Sequence, residues 1–181
     1  MFYGAEHNMR TQIVAVSDTH GLSQVLPLLE KAYPHASAYL HMGDLEDDPR
    51  LYPKWIFVRG NNDYMFGMEI PDARVVRVND TRIYMTHSHR FGYSRREERI
   101  AAAAKENDCQ IALFGHTHVP VARKIDGIWV VNPGSVAFPR DGKSSCYAVI
   151  DIEEDGTIEP HLLHEEEWPF RLPAQNRRWF W

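Results

Sequence analysis

Cysteine is scarce in this sequence. Its two residues, Cys109 and Cys146, lie far apart and lack metal-knuckle spacing, which argues against a thiolate metal site and a disulfide-held scaffold. Both read as packed small hydrophobes. Dense Lys/Arg runs are also missing. With 20 Lys and Arg against 25 Asp and Glu, the net charge is −5, which argues against tight binding to long nucleic acid. No apolar stretch approaches the roughly 20 residues that a membrane helix needs. The N-terminal residues lack the basic, apolar, small-residue order of a signal peptide, so a soluble, cytoplasmic protein is expected.

What is present suits one sizeable core: 181 residues with 44% hydrophobic content. The expected organisation is a polar lead over residues 1–10, a single domain over 11–167 and an aromatic tail over 168–181. Residues 13–16, 36–42, 55–58 and 111–114 are apolar runs, each closing on Gly or ligand-type polar residues, and read as strands feeding loops. Leu22 to Tyr33 has near-helical apolar spacing, with Ser23 as cap, Pro27 in or near the first turn and Pro34 beyond the end. Ser94 to Asn107 reads as a second helix, with Ser94 and Glu97 forming a capping box. Residues 74–78 and 82–85 flank an Asn79-Asp80 turn. Asp126-Gly127 breaks the run 125–131, and Glu154-Asp155-Gly156 separates 147–152 from 157–163. Early strand–helix alternation followed by hairpins predicts a layered α/β sandwich with mixed sheets and its chemistry at strand carboxyl ends.

Five polar segments follow such runs in order: Asp18-Thr19-His20, Gly43-Asp44, Gly60-Asn61-Asn62-Asp63, His87-Ser88-His89 and Gly115-His116-Thr117-His118. Carboxylate, amide oxygen and imidazole suit divalent Mn, Fe, Ni and Zn, and the set contains no cysteine. A carboxylate with two oxygens can bridge two cations and so acidify a shared water. Asp44, central in the series, is the bridging candidate.

These segments resemble the calcineurin-like metallophosphoesterases, particularly their small single-domain bacterial and archaeal phosphodiesterase branch. The likeness lies in D-x-H at Asp18 and His20, G-D at Asp44, G-N-x-D/E at Asn61 and Asp63, a lone histidine at His87 and G-H-x-H at His116 and His118. Asn132-Pro133-Gly134-Ser135 also matches a segment of that branch. The resemblance implies an α-β-β-α sandwich with two mixed sheets flanked by helices. It implies one metal on Asp18, His20, Asp44 and His118 and a second on Asp44, Asn61, His87 and His116, the ions being Mn2+ ahead of Ni2+, Fe2+, Zn2+ or Co2+. It further implies in-line attack by a metal-bridging hydroxide on a small or activated phosphodiester. A phosphomonoesterase or protein phosphatase is the runner-up, and a binding scaffold with little turnover the third reading.

Two positions depart from the pattern. Asn62 stands where many relatives carry His; it can donate a hydrogen bond but cannot act as a general acid, which favours leaving groups of low pKa. Ser88 stands where Gly is expected, at small cost. Asn62, Asp63 and His89 are the candidate catalytic residues, and His89 competes with His87 for the ligand role if the strand register shifts. His7, His35, His41, His161 and His164 read as surface or satisfied core residues. Asp47-Asp48, Arg95-Arg96 and Glu165-Glu166-Glu167 read as solvated charge. Asn132 to Ser135 is either a plain turn or a support of the metal site. The aromatics Trp168, Phe170, Trp179, Phe180 and Trp181 either fold back or cover a partner, with a homodimer favoured.

Overall fold

The computed structural model describes residues 10–65 and 69–172. β1 (Thr11–Val16), β2 (Ala38–His41) and β3 (Trp55–Phe57) are the apolar runs of the N-terminal half, and they pair in parallel. β9 (Cys146–Ile152) and β10 (Ile158–His164) join antiparallel on the other side of β1, giving the mixed order β10-β9-β1-β2-β3. Pro160, which cannot donate to a ladder, sits on the edge strand β10.

The second sheet has the order β4-β5-β6-β8-β7. β4 (Ala73–Val78) and β5 (Thr81–Thr86) form the expected hairpin, with Asn79 at φ 51°. β6 (Ile111–Phe114) lies parallel to β5 and to β8 (Ile128–Asn132), while β7 (Val121–Ile125) turns back on β8 through Asp126 and Gly127 at φ 48° and 88°. Both turn residues are left-handed, which suits a two-residue hairpin.

Strand alternation builds the layers. Ile13 and Ala15 face a central core with Leu40, Met42, Ile83, Met85, Ile111, Leu113, Val131, Ala148 and Ile150 from both sheets. Val14 and Val16 face the other way, onto Val25, Leu26 and Leu29 of α1 (Val25–Ala32). α2 (Arg96–Glu106) covers the second sheet by packing Ile100, Ala101 and Ala104 on Ala112, Phe114 and Val130. The result is the expected α-β-β-α sandwich.

Both predicted caps are corrected. α1 starts at Val25 with Gln24 at its cap and no side-chain bond; Ser23 contributes only its carbonyl, to the Leu26 N–H. α2 is entered through Arg95, in a left-handed conformation at φ 52°, so Ser94 lies one residue too early to cap it. Trp168 and Phe170 take the fold-back alternative. Trp168 is buried, donates from Nε1 to the Leu163 carbonyl and meets Phe170 and Tyr147 at 5.3 and 5.5 Å between ring centres. Trp179, Phe180 and Trp181 lie outside the described residues. No described helix is long and apolar enough to cross a membrane.

Candidate metal centre

The loops after β1, β2, β3, β5 and β6 meet at one edge of the sandwich, and each carries one of the five segments. Their backbones are unusual. Asp18, His20, Asp44, Ser88, His116 and His118 all have positive φ, between 43° and 77°. L-residues visit this region reluctantly, so the loops hold local strain that the packing of both sheets must enforce. Ser88, at φ 77°, therefore stands at a position where glycine would relax the chain.

Close backbone approach completes the pinning. Asp63 accepts from the backbone N–H of Asp44 (2.9 Å) and Gly60 (2.7 Å) with Oδ2 and from Glu46 (3.0 Å) with Oδ1. Both oxygens of this predicted catalytic residue thus clamp the loop after β2 to the loop after β3. Ser135 Oγ donates to the Asp18 carbonyl (2.7 Å) and Asn132 Nδ2 to the Gly115 carbonyl (3.2 Å). The Asn132–Ser135 segment is therefore a support and not a plain turn.

Three imidazoles are oriented by acceptors. His87 Nδ1 donates to the Met42 carbonyl (2.7 Å), His118 Nδ1 to the Phe138 carbonyl (2.6 Å) and His20 Nδ1 to Glu46 Oε1 (2.6 Å). With Nδ1–H fixed, each Nε2 lone pair is turned the other way. All three Nε2 atoms converge on Asp18 Oδ1, at 3.1 Å from His118, 3.8 Å from His20 and 3.9 Å from His87. Asp18 Oδ1 is buried and accepts no hydrogen bond. Asp44 Oδ2 lies 3.4 Å from His87 Nε2 and 3.9 Å from His20 Nε2, and Asn61 Oδ1 lies 3.1 Å from His87 Nε2. Lone pairs gathered this tightly around an unpartnered carboxylate oxygen fit divalent cations. Two groups have metal-binding geometry, Asp18 with His20 and His118, and Asp18 with Asp44 and His87, their ligand atoms lying within 4.8 Å of one another. Asp18, as well as Asp44, faces both.

The field agrees. Burial alone would raise the Asp18 carboxyl, but the neighbouring His118 and His87 imidazoles, with the Ser17 hydroxyl, outweigh it and hold the group below its ordinary value. Asp44 behaves alike, through His87 and two bonds from Asn62. Burial would lower His87, yet Asp44 and Asp18 draw its pKa above the usual histidine value. The same field attracts a cation. Burial, with the His87 and Arg96 charges, depresses His116 to about 4, leaving it neutral and available as a ligand near pH 7. Its ring centre lies 5.2 Å from that of His87, and its backbone N–H donates to Asp18 Oδ2 (3.0 Å).

Of the remaining candidates, His89 sits beside His87 and His116 at 5.6 and 6.4 Å between ring centres, with a buried Nδ1 that has no partner. Asn62 donates from its backbone to Asp44 Oδ1 (2.8 Å) and from Nδ2 to Asp44 Oδ2 (2.7 Å). Glu46 escaped the sequence reading because nothing in its local acidic run marks it as the partner of a histidine 26 residues away.

His41 is the satisfied core histidine expected, but it also braces the site. Its Nδ1 accepts from the Gly43 N–H (3.1 Å) and its Nε2–H donates to Thr19 Oγ1 (3.1 Å). Burial, with the His87 charge and against the pull of Asp63 and Asp18, lowers it to about 4. The unfolded chain takes a proton near pH 6.5 while the folded chain resists until about 4, so stability falls as pH drops through that window. His41 should account for about 2 kcal/mol of the stability that urea unfolding of metal-free protein shows lost between pH 7 and pH 5, beside the loss from His116. His41→Gln should flatten that slope; an unchanged slope would contradict the assignment.

A family model for the calcineurin-like phosphoesterase superfamily domain matches residues 11–155. The probable metallophosphoesterase YsnB of Bacillus subtilis is 29% identical over 147 residues, which cover 79% of this chain and 85% of YsnB. Phosphodiesterase YfcE of Escherichia coli is 35% identical over 105 residues, covering 54% of this chain and 53% of its own. The crystal structure of a predicted phosphoesterase from Streptococcus pneumoniae has a TM-score of 0.79 and 30% identity, with 88% of this chain and 94% of that one covered. The chain belongs to the calcineurin-like phosphoesterase superfamily.

Proposed function

We propose that this protein is a dinuclear metal-dependent phosphodiesterase acting on small or activated phosphodiesters. The convergence of three Nε2 lone pairs on the unpartnered Asp18 Oδ1 carries the reading. One ion would be held by Asp18, His20 and His118 and the other by Asp44, Asn61, His87 and His116, with Asp44 and Asp18 between them. Oxygen and imidazole donors without thiolate suit Mn2+. Ions bound there supply Lewis acidity toward phosphate oxygens and acidify water.

The chain's own residues set the geometry. Glu46, Met42 and Phe138 hold the imidazole tautomers, and Asp63 holds the Asp44 loop. Asn62 is a positioning residue for Asp44, since its amide is already engaged with that carboxylate. His89 has a lowered pKa through burial and the His87 charge, so it is a neutral N–H donor for a phosphate oxygen.

Turnover of bis(p-nitrophenyl) phosphate and p-nitrophenyl phosphate with Mn2+ tests the reading. The diester should be preferred by about tenfold or more in kcat/KM, and Asp44→Asn should reduce both by roughly a thousandfold. A preference for the monoester, or activity that survives Asp44→Asn, would refute it.

A further inference from the structure

A cavity of about 300 Å3 opens beside the centre, lined by Glu46, Asp47, Asn62, Asp63, Tyr64 and Met65. It touches the metal-binding groups at two points: Glu46 Oε1 lies 2.6 Å from His20 Nδ1, and Asn62 Nδ2 lies 2.7 Å from Asp44 Oδ2. On the phosphodiesterase reading above, we propose that this cavity receives one alcohol substituent of the substrate and selects an uncharged or cationic group over an anionic one.

Position carries the first half of the argument. A phosphate held among Asp18, Asp44 and the histidines must direct its substituents outward, and the wall formed by Asn62 stands one hydrogen bond from Asp44. The volume is at the small end of ligand pockets, suited to a compact alcohol. Tyr64 and Met65 are 75% and 84% exposed, so the cavity offers an apolar surface that no other part of the described chain covers.

Charge carries the second half. Among the described residues the lining contains three carboxylates and no cation. Asp63 is fully engaged by backbone amides, and Asp47 by the Asp48 N–H and the Tyr52 hydroxyl. Glu46 gives one oxygen to His20, leaving Oε2 as an acceptor for a substrate hydroxyl or ammonium. A second anionic group placed here meets like charge from the lining, while the phosphate takes the place beside the cations. Nucleoside di- and triphosphates are therefore poor occupants, while esters of polyols or amino alcohols fit.

The test is calorimetric titration of Mn2+-loaded protein with three methylphosphonate monoesters, whose alcohols are choline, glycerol and glycolate. Each has a single alcohol substituent, and phosphorus NMR of the titrated sample checks that the ester stays intact. At separations of about 7 Å, unit charges in a partly solvated site should make the choline and glycerol esters bind about five- to tenfold more tightly than the glycolate ester. Met65→Lys, which alters no residue of the metal centre, should favour the glycolate ester and disfavour the choline ester without changing Mn2+ affinity. Tyr64→Lys provides a second insertion of charge.

Equal affinities for the three esters, or an order insensitive to both lysine variants, would overturn the proposal. Turnover of bis(p-nitrophenyl) phosphate is a separate readout. Protein that hydrolyses this diester but ranks the esters equally contradicts the cavity assignment alone; protein that ranks them without hydrolysis contradicts the phosphodiesterase reading alone.

Discussion

Asp18→Asn is expected to lower kcat/KM for a phosphodiester by roughly a thousandfold or more, about 4 kcal/mol of transition-state stabilisation, without unfolding the protein. Asp18 Oδ1 is the point on which His20, His87 and His118 converge, so the neutral amide removes the charge that both metal groups share. The fold should survive the change, because Oδ2, which accepts from Ser17 Oγ (2.5 Å) and the His116 N–H (3.0 Å), can be replaced by the amide oxygen. The carboxyl is held below its ordinary value, so its charge favours the folded state and its loss costs some stability. Thermal unfolding of metal-free Asp18→Asn should therefore remain cooperative, at a somewhat lower temperature than wild type, while turnover collapses. A variant that failed to fold would point to a structural role for Asp18.

Gly60→Ala should fail by sterics and lose about 3 kcal/mol or more of stability along with metal binding. A Cβ at Gly60 would stand 2.0 Å from Asp44 Oδ1 and 2.2 Å from the Asp44 backbone nitrogen, far inside contact distance. Neither side can retreat easily, because Asp63 Oδ2 binds both Gly60 N–H and Asp44 N–H. Gly127→Ala is the contrast. Its Cβ would meet nothing within 4 Å, although φ is +88°, so only the conformational penalty of about 1 kcal/mol applies. Urea denaturation of the two variants should separate steric from conformational effects. Similar losses at both positions would contradict the close approach of the two ligand loops.

The sandwich was legible because its buried strands are short apolar runs that end abruptly in Gly and polar ligands, as at Val16-Ser17-Asp18 and Phe114-Gly115-His116. β7 was readable only at its end, since residues 121–125 lie on an exposed edge and carry no strong apolar pattern. The caps misled because serine spacing cannot reveal that Arg95 adopts a left-handed conformation. At the site, residue types and order marked the five segments and the resemblance supplied their division into two ligand sets, whereas distance alone revealed Asp18 near both groups and Asp63 engaged with backbone amides. Glu46, Met42 and Phe138 act through tertiary hydrogen bonds to histidine Nδ1 atoms, two of them through carbonyls that every residue carries. No side-chain pattern encodes such partners.

Calorimetric titration of metal-free protein with Mn2+, at pH 7.5 and fixed salt, tests the dinuclear centre most directly. Two ions per chain are expected for wild type, with Asp18→Asn weakening both and His118→Ala weakening one. A stoichiometry of one ion, or two ions unaffected by Asp18→Asn, would contradict a pair of metals sharing that carboxylate.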